Sequence, residues 1–350
     1  MDRPPLSLRP VTNWLLIGCG LIACMVVIGG ITRLTGSGLS ITEWKPIMGA
    51  VPPLNEAEWH IAFDKYKAIP EYILINQHMD LSGFKRIFFW EYLHRNWGRL
   101  MGLVFLVPFI VFWRKGLLQG WLMPRTLGIM VGGAIVASLG WFMVLSGLVD
   151  LRDAHGQLLV SVSHFRLAIH LCGAFAVLGL VFWTVLDIKL GRRSFIGDGT
   201  GAARSTRLLF VLLVLQIIYG AFTAGLDAGR IYNTWPLMNG EFMPGNVSAF
   251  GDPVKDFTHH KDGVQFVHRW FAWVVALAVL VHAYVFRRVK ELAWANPLLV
   301  LAVLTQFVLG VVTLLTQVDI AMGVLHQLGA LVLLVTLLLA LHRTGRATAS

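Results

Sequence analysis

The sequence predicts an all-α integral membrane protein with eight transmembrane helices, arranged as two pseudo-symmetric four-helix bundles. Hydrophobic residues make up 56% of the 350 residues and charged residues only 14%, a composition typical of membrane proteins. Eight apolar stretches have, or nearly have, the length of roughly 20 residues that a helix needs to cross a bilayer. These stretches cover residues 14–32, 96–113, 126–146, 167–187, 208–226, 266–286, 297–316 and 322–341.

A repeated pattern predicts the division into two bundles. Two long connections, residues 33–93 and 227–265, each follow the first span of a four-span unit. Both begin with a glycine-rich segment and end in a histidine–arginine pair, His94–Arg95 in the first and His268–Arg269 in the second. Because each unit has an even number of spans, both units have the same orientation in the membrane. The predicted units are residues 14–187 and 208–341.

Positive charge lies beside the spans on one predicted side of the membrane, whereas the short loops of the other side contain only Arg152. The positive-inside rule therefore predicts that both termini are cytoplasmic. No Arg-rich, Ser-rich presequence precedes the first span, which favours the inner membrane of a bacterium. Because the charges form rims beside the spans, we expect contact with lipid and no nucleic-acid partner. The basic residues of the charged side are Arg3, Arg9, Arg114, Lys115, Arg125, Lys189, Arg192, Arg193, Arg204, Arg207, Arg287, Arg288, Lys290, Arg343 and Arg346.

Four histidines occupy related places near the starts of the even-numbered spans, which all run in the same direction. A single histidine there is more often a hydrogen-bonded packing residue, but ionisable side chains inside a membrane are costly and usually functional. Two pairs at one depth favour two metal or haem sites, each clamping a planar group from both faces. Zinc and copper are disfavoured because thiolates or carboxylates do not accompany each pair. The pairs are His94 with His170 and His268 with His326.

A polar residue lies three positions before the first histidine of each pair. Glu91 precedes His94, so the two share a helix face if the helix has started by then. Its carboxylate is either a proton acceptor in an oxidation or an acidic residue favoured by a helix N-terminus. Gln265 precedes His268 and could orient its imidazole ring. Spacing alone does not decide between the two functions of Glu91.

Arginines near the histidines are candidate partners for carboxylates of a bound haem. Guanidinium groups match carboxylate geometry, so haem propionates are natural ligands for them. Long basic side chains also extend to the membrane interface without any ligand, and this alternative fits any one of them equally well. The four candidates are Arg95, Arg99, Arg166 and Arg269.

Several motifs together resemble the signature of the haem A synthase family. The longest is Gly30-Ile-Thr-Arg-Leu-Thr-Gly-Ser-Gly-Leu-Ser-Ile-Thr-Glu-Trp-Lys-Pro46. The resemblance extends over essentially the whole chain, and it is to the branch that lacks paired cysteines in the outer loops. The further motifs are Trp90–Arg99, Ala224–Gly229, Tyr232–Pro236, Gln265–Arg269 and His326–Gln327.

The resemblance implies an enzyme that oxidises a ring methyl of haem O to a formyl group, through an alcohol, and so makes haem A for cytochrome c oxidase. It implies that His94 and His170 bind the substrate haem, haem O, and that His268 and His326 bind the iron of a permanent haem b. It also implies that Glu91 is the catalytic carboxylate. Haem O synthase and cytochrome c oxidase assembly proteins are the partners it suggests, and the chain could form a homo-oligomer.

Two other functions are considered: only the family resemblance separates the first from the synthase, whereas the pattern of spans and histidines disfavours the second. A diheme electron-transfer cytochrome would hold two permanent haems and would modify neither. A transporter built from parallel repeats should have its site near the membrane midplane, whereas these histidines lie near the outer edge. Identification of the bound haems would distinguish the synthase from the cytochrome.

Overall fold

The computed structural model describes residues 7–45, 48–148 and 162–348, so Arg3, Pro46 and Arg152 lie outside the described residues. Within this part of the chain, eight helices are long and apolar enough to cross a membrane, which confirms the predicted fold class. The spanning helices are α1 (Arg9–Leu34), α4 (Leu81–Arg114), α5 (Leu122–Leu148), α6 (His164–Leu190), α7 (Gly201–Gly225), α9 (Lys261–Val285), α10 (Ala295–Leu315) and α11 (Ile320–Arg343). Shorter helices in the connections are α2 (Glu56–Lys67), α3 (Pro70–Leu74) and α8 (Pro253–Thr258).

The second spanning helix begins much earlier than predicted. The hydrophobic pattern places its start at residue 96, but α4 starts at Leu81, so His94 lies well inside the helix. Asp80 caps this start by accepting a hydrogen bond from the Gly83 amide at 2.7 Å. At 1.5 Å per residue the 34 residues extend for about 50 Å, well beyond the roughly 30 Å of a hydrocarbon core. The first part of α4 contains charged residues, so its sequence does not form an apolar stretch.

The extension of α4 packs against the first long connection rather than standing alone. Phe84 and Phe88 of α4 are buried with Phe63 and Tyr66 of α2 in a small aromatic core. The Tyr66 hydroxyl donates to the Glu71 carboxylate at 2.9 Å, and burial raises the pKa of the Glu71 carboxyl to about 7. The connection is therefore a folded cap and not an open loop.

The spanning helices pack in the same order in the two halves. In the first half α1, α4, α5 and α6 form a ring of neighbours, and in the second half α7, α9, α10 and α11 do the same. Between the halves, α1 contacts α11, α6 contacts α7, and α6 contacts α11. This order fits two pseudo-symmetric bundles, while the boundaries 14–187 and 208–341 stay a prediction. Both long connections lie at one end of the bundle, here called the loop end, where Arg33 bridges to the Ala224 carbonyl at 2.7 Å.

A buried carboxylate joins three helices at the opposite end. Asp187 of α6 accepts from Arg125 of α5 at 3.2 Å, and its other oxygen lies 3.0 Å from Nε2 of His342 on α11. The Asp187 side chain is 1% exposed. Buried charges are stable only when paired and hydrogen-bonded, so this network fixes the relative positions of the three helices.

We expect Asp187→Ala to lower the free energy of unfolding by about 3 kcal/mol, because it leaves the Arg125 guanidinium and the buried His342 ring without their shared partner. The measurement is the thermal unfolding midpoint of the purified protein in detergent. Glu291→Gln, at an exposed position, is the control and should melt as the native protein does. Equal midpoints for the two variants would show that Asp187 does not join the helices.

Candidate functional site

Each of the four histidines lies against a glycine of the preceding spanning helix. The missing side chain leaves room for the imidazole ring close to the helix backbone. A Cβ atom at Gly29 would lie 3.2 Å from Nε2 of His94, and at Gly140, Gly220 and Gly310 it would lie 2.9, 3.1 and 2.9 Å from Cε1 of His170, His268 and His326. One helix of each pair therefore supplies a ring and the other supplies the space for it.

The two histidines of the second half stand at the separation that a metal ion between them requires. The ring centroids of His268 and His326 are 6.3 Å apart, and the ring planes cross at 85°. A metal–imidazole bond is about 2 Å long and the ring centroid lies about 1 Å behind the nitrogen, so a bridged pair has centroids about 6 Å apart. Both rings are half-buried. The pair fits one metal ion with an imidazole on each side.

The number of available ligands indicates what kind of metal group fits. Over residues 7–45, 48–148 and 162–348, no three histidine, cysteine or acidic side chains come together as a metal cluster. A metal held only by this part of the chain would thus lack the four ligands of a structural zinc site. Haem iron receives four ligands from its own ring and needs only axial ligands from the protein. The histidine pairs therefore suit haem better than a free ion.

In the first half His94 lies against Gly29 and His170 against Gly140, so the first half repeats the histidine–glycine contacts of the second. Nδ1 of His170 lies 3.1 Å from the carbonyl oxygen of Val136, so this oxygen can accept a hydrogen bond from the ring. In the described part of the chain no hydrogen bond involves Nε2 of either ring. Nε2 of His94 lies toward Gly29, whereas the atom of His170 nearest to Gly140 is Cε1, so the two rings face their glycines through different atoms.

Glu91 is buried on the face of α4 that carries His94, and its carboxylate is fully engaged. One oxygen accepts from the Ser40 hydroxyl at 2.7 Å and from the Ile41 amide at 2.6 Å. The other accepts from Nε of Arg95 at 3.0 Å and from a second Arg95 nitrogen. The predicted alternative of a helix-terminal acid is wrong, because α4 begins at Leu81 and Glu91 lies well past its first turn. The carboxylate instead holds the first long connection beside His94.

Three of the four predicted arginines bind groups of the protein itself. Arg95 donates to the carbonyl oxygens of Ile41 and Glu43 at 2.6 and 2.8 Å as well as to Glu91. Arg99 donates to the Lys45 carbonyl at 2.9 Å. Arg166 donates to the Phe142 carbonyl at 2.8 Å, with its guanidinium 3.9 Å above the ring of the same residue. Arg95 and Arg99 thereby fasten the first connection to α4.

Arg269 differs from these three because part of its guanidinium has no partner. One nitrogen donates to the Thr234 carbonyl, while Nε and Nη1 are buried and unpaired within the part of the chain that the structure describes. Buried donors of a charged group are costly to leave unpaired. A carboxylate in the second half would satisfy them, and the binding of a haem propionate by this arginine stays a prediction.

The prediction that Gln265 orients His268 is wrong. Its amide donates instead to the Tyr232 carbonyl at 3.2 Å, in the second long connection. The amide nitrogen of Gln216, on α7, lies 3.1 Å from Nδ1 of His268. The amide nitrogen of Gln306, on α10, lies 3.2 Å from Nδ1 of His326. Sequence reasoning missed both glutamines, although each stands four residues before a glycine that receives a histidine.

The second long connection closes over the second pair at the loop end. The Tyr232 hydroxyl donates to the Asp262 carboxylate at 2.6 Å, and burial together with this carboxylate raises the pKa of Tyr232 to about 12. Asn233 donates to the Leu314 carbonyl at 2.9 Å. The Tyr232–Pro236 motif therefore attaches the connection to α9 and α10.

We expect Gly310→Ala to reduce the haem retained by the purified protein several-fold. The new Cβ would lie 2.9 Å from the His326 ring, and ordinary contact of about 3.5–4.0 Å requires the ring to move by about 0.5 Å or more. The measurement is the visible absorption of haem per mole of protein. Gly133→Ala is the control, because a Cβ there meets no atom within 4 Å. Equal haem content in the two variants would show that the glycine does not place the ring.

Comparisons with known proteins show the family of the chain. The sequence profile of a family described as cytochrome oxidase assembly protein matches residues 12–338. The heme A synthase of Flavobacterium johnsoniae is 43% identical over 97% of this chain and 98% of its own length. That of Rhodospirillum centenum is 43% identical over 97% of this chain and 90% of its own. That of Nitrosospira multiformis is 39% identical over 97% of this chain and 94% of its own. By the full-length match and the identity, the chain belongs to the heme A synthase family.

Proposed function

We propose that this chain oxidises haem O to haem A, with a substrate site in the first half and a haem b site in the second. The observation that carries the proposal is the presence of two glycine-backed histidine pairs, one in each half. Family membership supports the reaction, and the two pairs support the use of two haems. Each site has two histidines that lie against glycines, so the different functions of the two sites must come from the residues around the histidines.

The second half has the features of a permanent haem site. His268 and His326, whose ring centroids are 6.3 Å apart, would hold the haem iron between them. The unpaired donors of Arg269 fit a propionate. When bound, haem b supplies a redox-active iron that can take up and pass on electrons. The protein contributes the rings of His268 and His326, the guanidinium of Arg269 and the second long connection.

The first half differs from the second at the position three residues before the first histidine. Glu91 occupies it in the first half and Gln265 in the second, so only the first half has a carboxylate there. Oxidation of a methyl to a formyl group, written with water as the oxygen source, releases four electrons and four protons. We assign to Glu91 the acceptance of a proton beside the substrate ring, and to Ser40 its transfer onward, since a hydroxyl can both donate and accept.

The setting of this reaction is the inner membrane of a bacterium, with both termini in the cytoplasm. The eight spans and the basic residues beside them support this orientation. The histidine pairs then lie near the outer face. Haem O synthase is the proposed source of the substrate, and cytochrome c oxidase assembly proteins are the proposed recipients of the product.

Substitution of the histidines tests the division between the halves. His268→Ala or His326→Ala should remove most haem b, because one axial ligand is lost. His94→Ala or His170→Ala should leave haem b bound but stop the production of haem A. His60→Ala, at an exposed site on α2, is the control. The measurement is chromatography of the extracted haems. Equal loss of haem from all four variants would contradict the division, and unmodified haem b in both sites would support an electron-transfer cytochrome.

Substitution of Glu91 tests the catalytic assignment. Glu91→Gln keeps the size and one acceptor oxygen but removes the charge, so it should retain both haems and lower haem A formation by about 10²–10⁴-fold. Glu91→Asp should be partly active. Glu241→Gln, at an exposed glutamate of the second connection, is the control. The measurement is the ratio of haem O, its alcohol and haem A in membranes. Native haem A levels in the Gln variant would move the assignment to another residue.

A further inference from the structure

A second difference between the halves lies one helical turn before the histidine-facing glycines. Residues four apart share a helix face, so the residue four positions before each glycine lies near the same ring. In the first half these residues are Met25 and Val136, which are apolar. In the second half they are Gln216 and Gln306. The halves therefore differ in whether a side-chain amide lies against the imidazole.

Both amides touch the ring nitrogen that faces away from the iron position. The Gln216 amide nitrogen lies 3.1 Å from Nδ1 of His268 and 2.9 Å from the carbonyl oxygen of the same residue. The Gln306 amide nitrogen lies 3.2 Å from Nδ1 of His326. The Oε1 atoms of both glutamines are buried and have no hydrogen-bond partner among the described residues. Each glutamine thus has an unused acceptor oxygen on the same amide group whose nitrogen lies next to a ring nitrogen.

The unused acceptor becomes useful when Nε2 binds a metal. A neutral imidazole that binds iron through Nε2 carries its proton on Nδ1, and this proton needs an acceptor. A half-turn of the terminal amide places Oε1 where it accepts that proton. For Gln306 the turn breaks no other bond, and for Gln216 it gives up the bond to the His268 carbonyl. In the first half, Nδ1 of His170 lies 3.1 Å from the backbone oxygen of Val136, so no side-chain amide is needed to accept its proton.

We propose that Gln216 and Gln306 are positioning residues that fix the two imidazoles of the second half, making its haem the retained one and setting its reduction potential. The inference rests on the proposed function, since it takes haem b to be the ligand of that half. An oriented acceptor on Nδ1 holds the ring in one tautomer and makes the bound nitrogen a stronger ligand. The first half lacks both side chains, which suits a site that must release its product.

Two substitutions at each position separate ligand tuning from packing. Gln306→Leu keeps the approximate volume but removes the acceptor, so the imidazole becomes a weaker ligand and the reduction potential rises. Gln306→Glu supplies a stronger acceptor, which stabilises the oxidised iron and lowers the potential. Gln216→Leu and Gln216→Glu should act in the same directions on His268. A residue that only filled space would not shift the potential in opposite directions in its two variants.

The experiment measures haem b loss to excess apomyoglobin and the midpoint potential of the purified holoenzyme by redox titration. We expect each Leu variant to lose haem roughly 10–100-fold more readily, the usual effect of removing such a partner. Met25→Leu and Val136→Leu are matched controls from the first half and should leave both haem b readouts unchanged.

The outcomes separate this inference from the proposed function. Native retention and potential in all the glutamine variants would overturn the inference, and so would shifts of one sign in both the Leu and the Glu variants. Either result would leave the haem b site itself intact. A native protein that holds no haem b between His268 and His326 would contradict the proposed function before any glutamine is changed.

Discussion

The close contact between a glycine and a histidine is the constraint on which the site depends, and it is made once in each of four pairs of neighbouring spanning helices. It sets how near the two helices approach and at what depth the ring lies. At Gly140, Gly220 and Gly310 a Cβ atom would come within 2.9–3.1 Å of the ring, so no larger residue fits without moving it. Because the contact occurs twice in each half, one packing rule produces two sites.

Polar groups near the rings distinguish the two otherwise similar sites. In the first half Glu91 lies in a buried network with Arg95 and Ser40, which suits the transfer of protons. In the second half amides lie against the rings, and Arg269 keeps unpaired donors. We interpret the first as a site for chemistry on its ligand and the second as a site for permanent retention. The two halves share the histidine–glycine contacts, and a few side chains supply the difference.

The sequence predicted the features that leave a repeated or apolar pattern, and it missed those that depend on contacts between side chains of different elements. Apolar length predicted the eight spans, and repeat phase predicted which histidines pair. The start of α4 at Leu81 was missed because its first turns are stabilised by Phe63 and Tyr66 of another element, not by apolar length. Gln265 was the wrong partner for His268 because spacing along one helix cannot show that Gln216, on the neighbouring helix, reaches the same ring first.

Electron paramagnetic resonance of the oxidised, purified protein tests the central claim most directly. The claim is that one haem lies between His268 and His326, whose ring planes cross at 85°. Two axial imidazoles in crossed planes give oxidised haem iron a strongly anisotropic low-spin signal, and we expect that signal from the second half. A high-spin signal alone, or a low-spin signal typical of parallel rings, would contradict the proposed coordination of haem b.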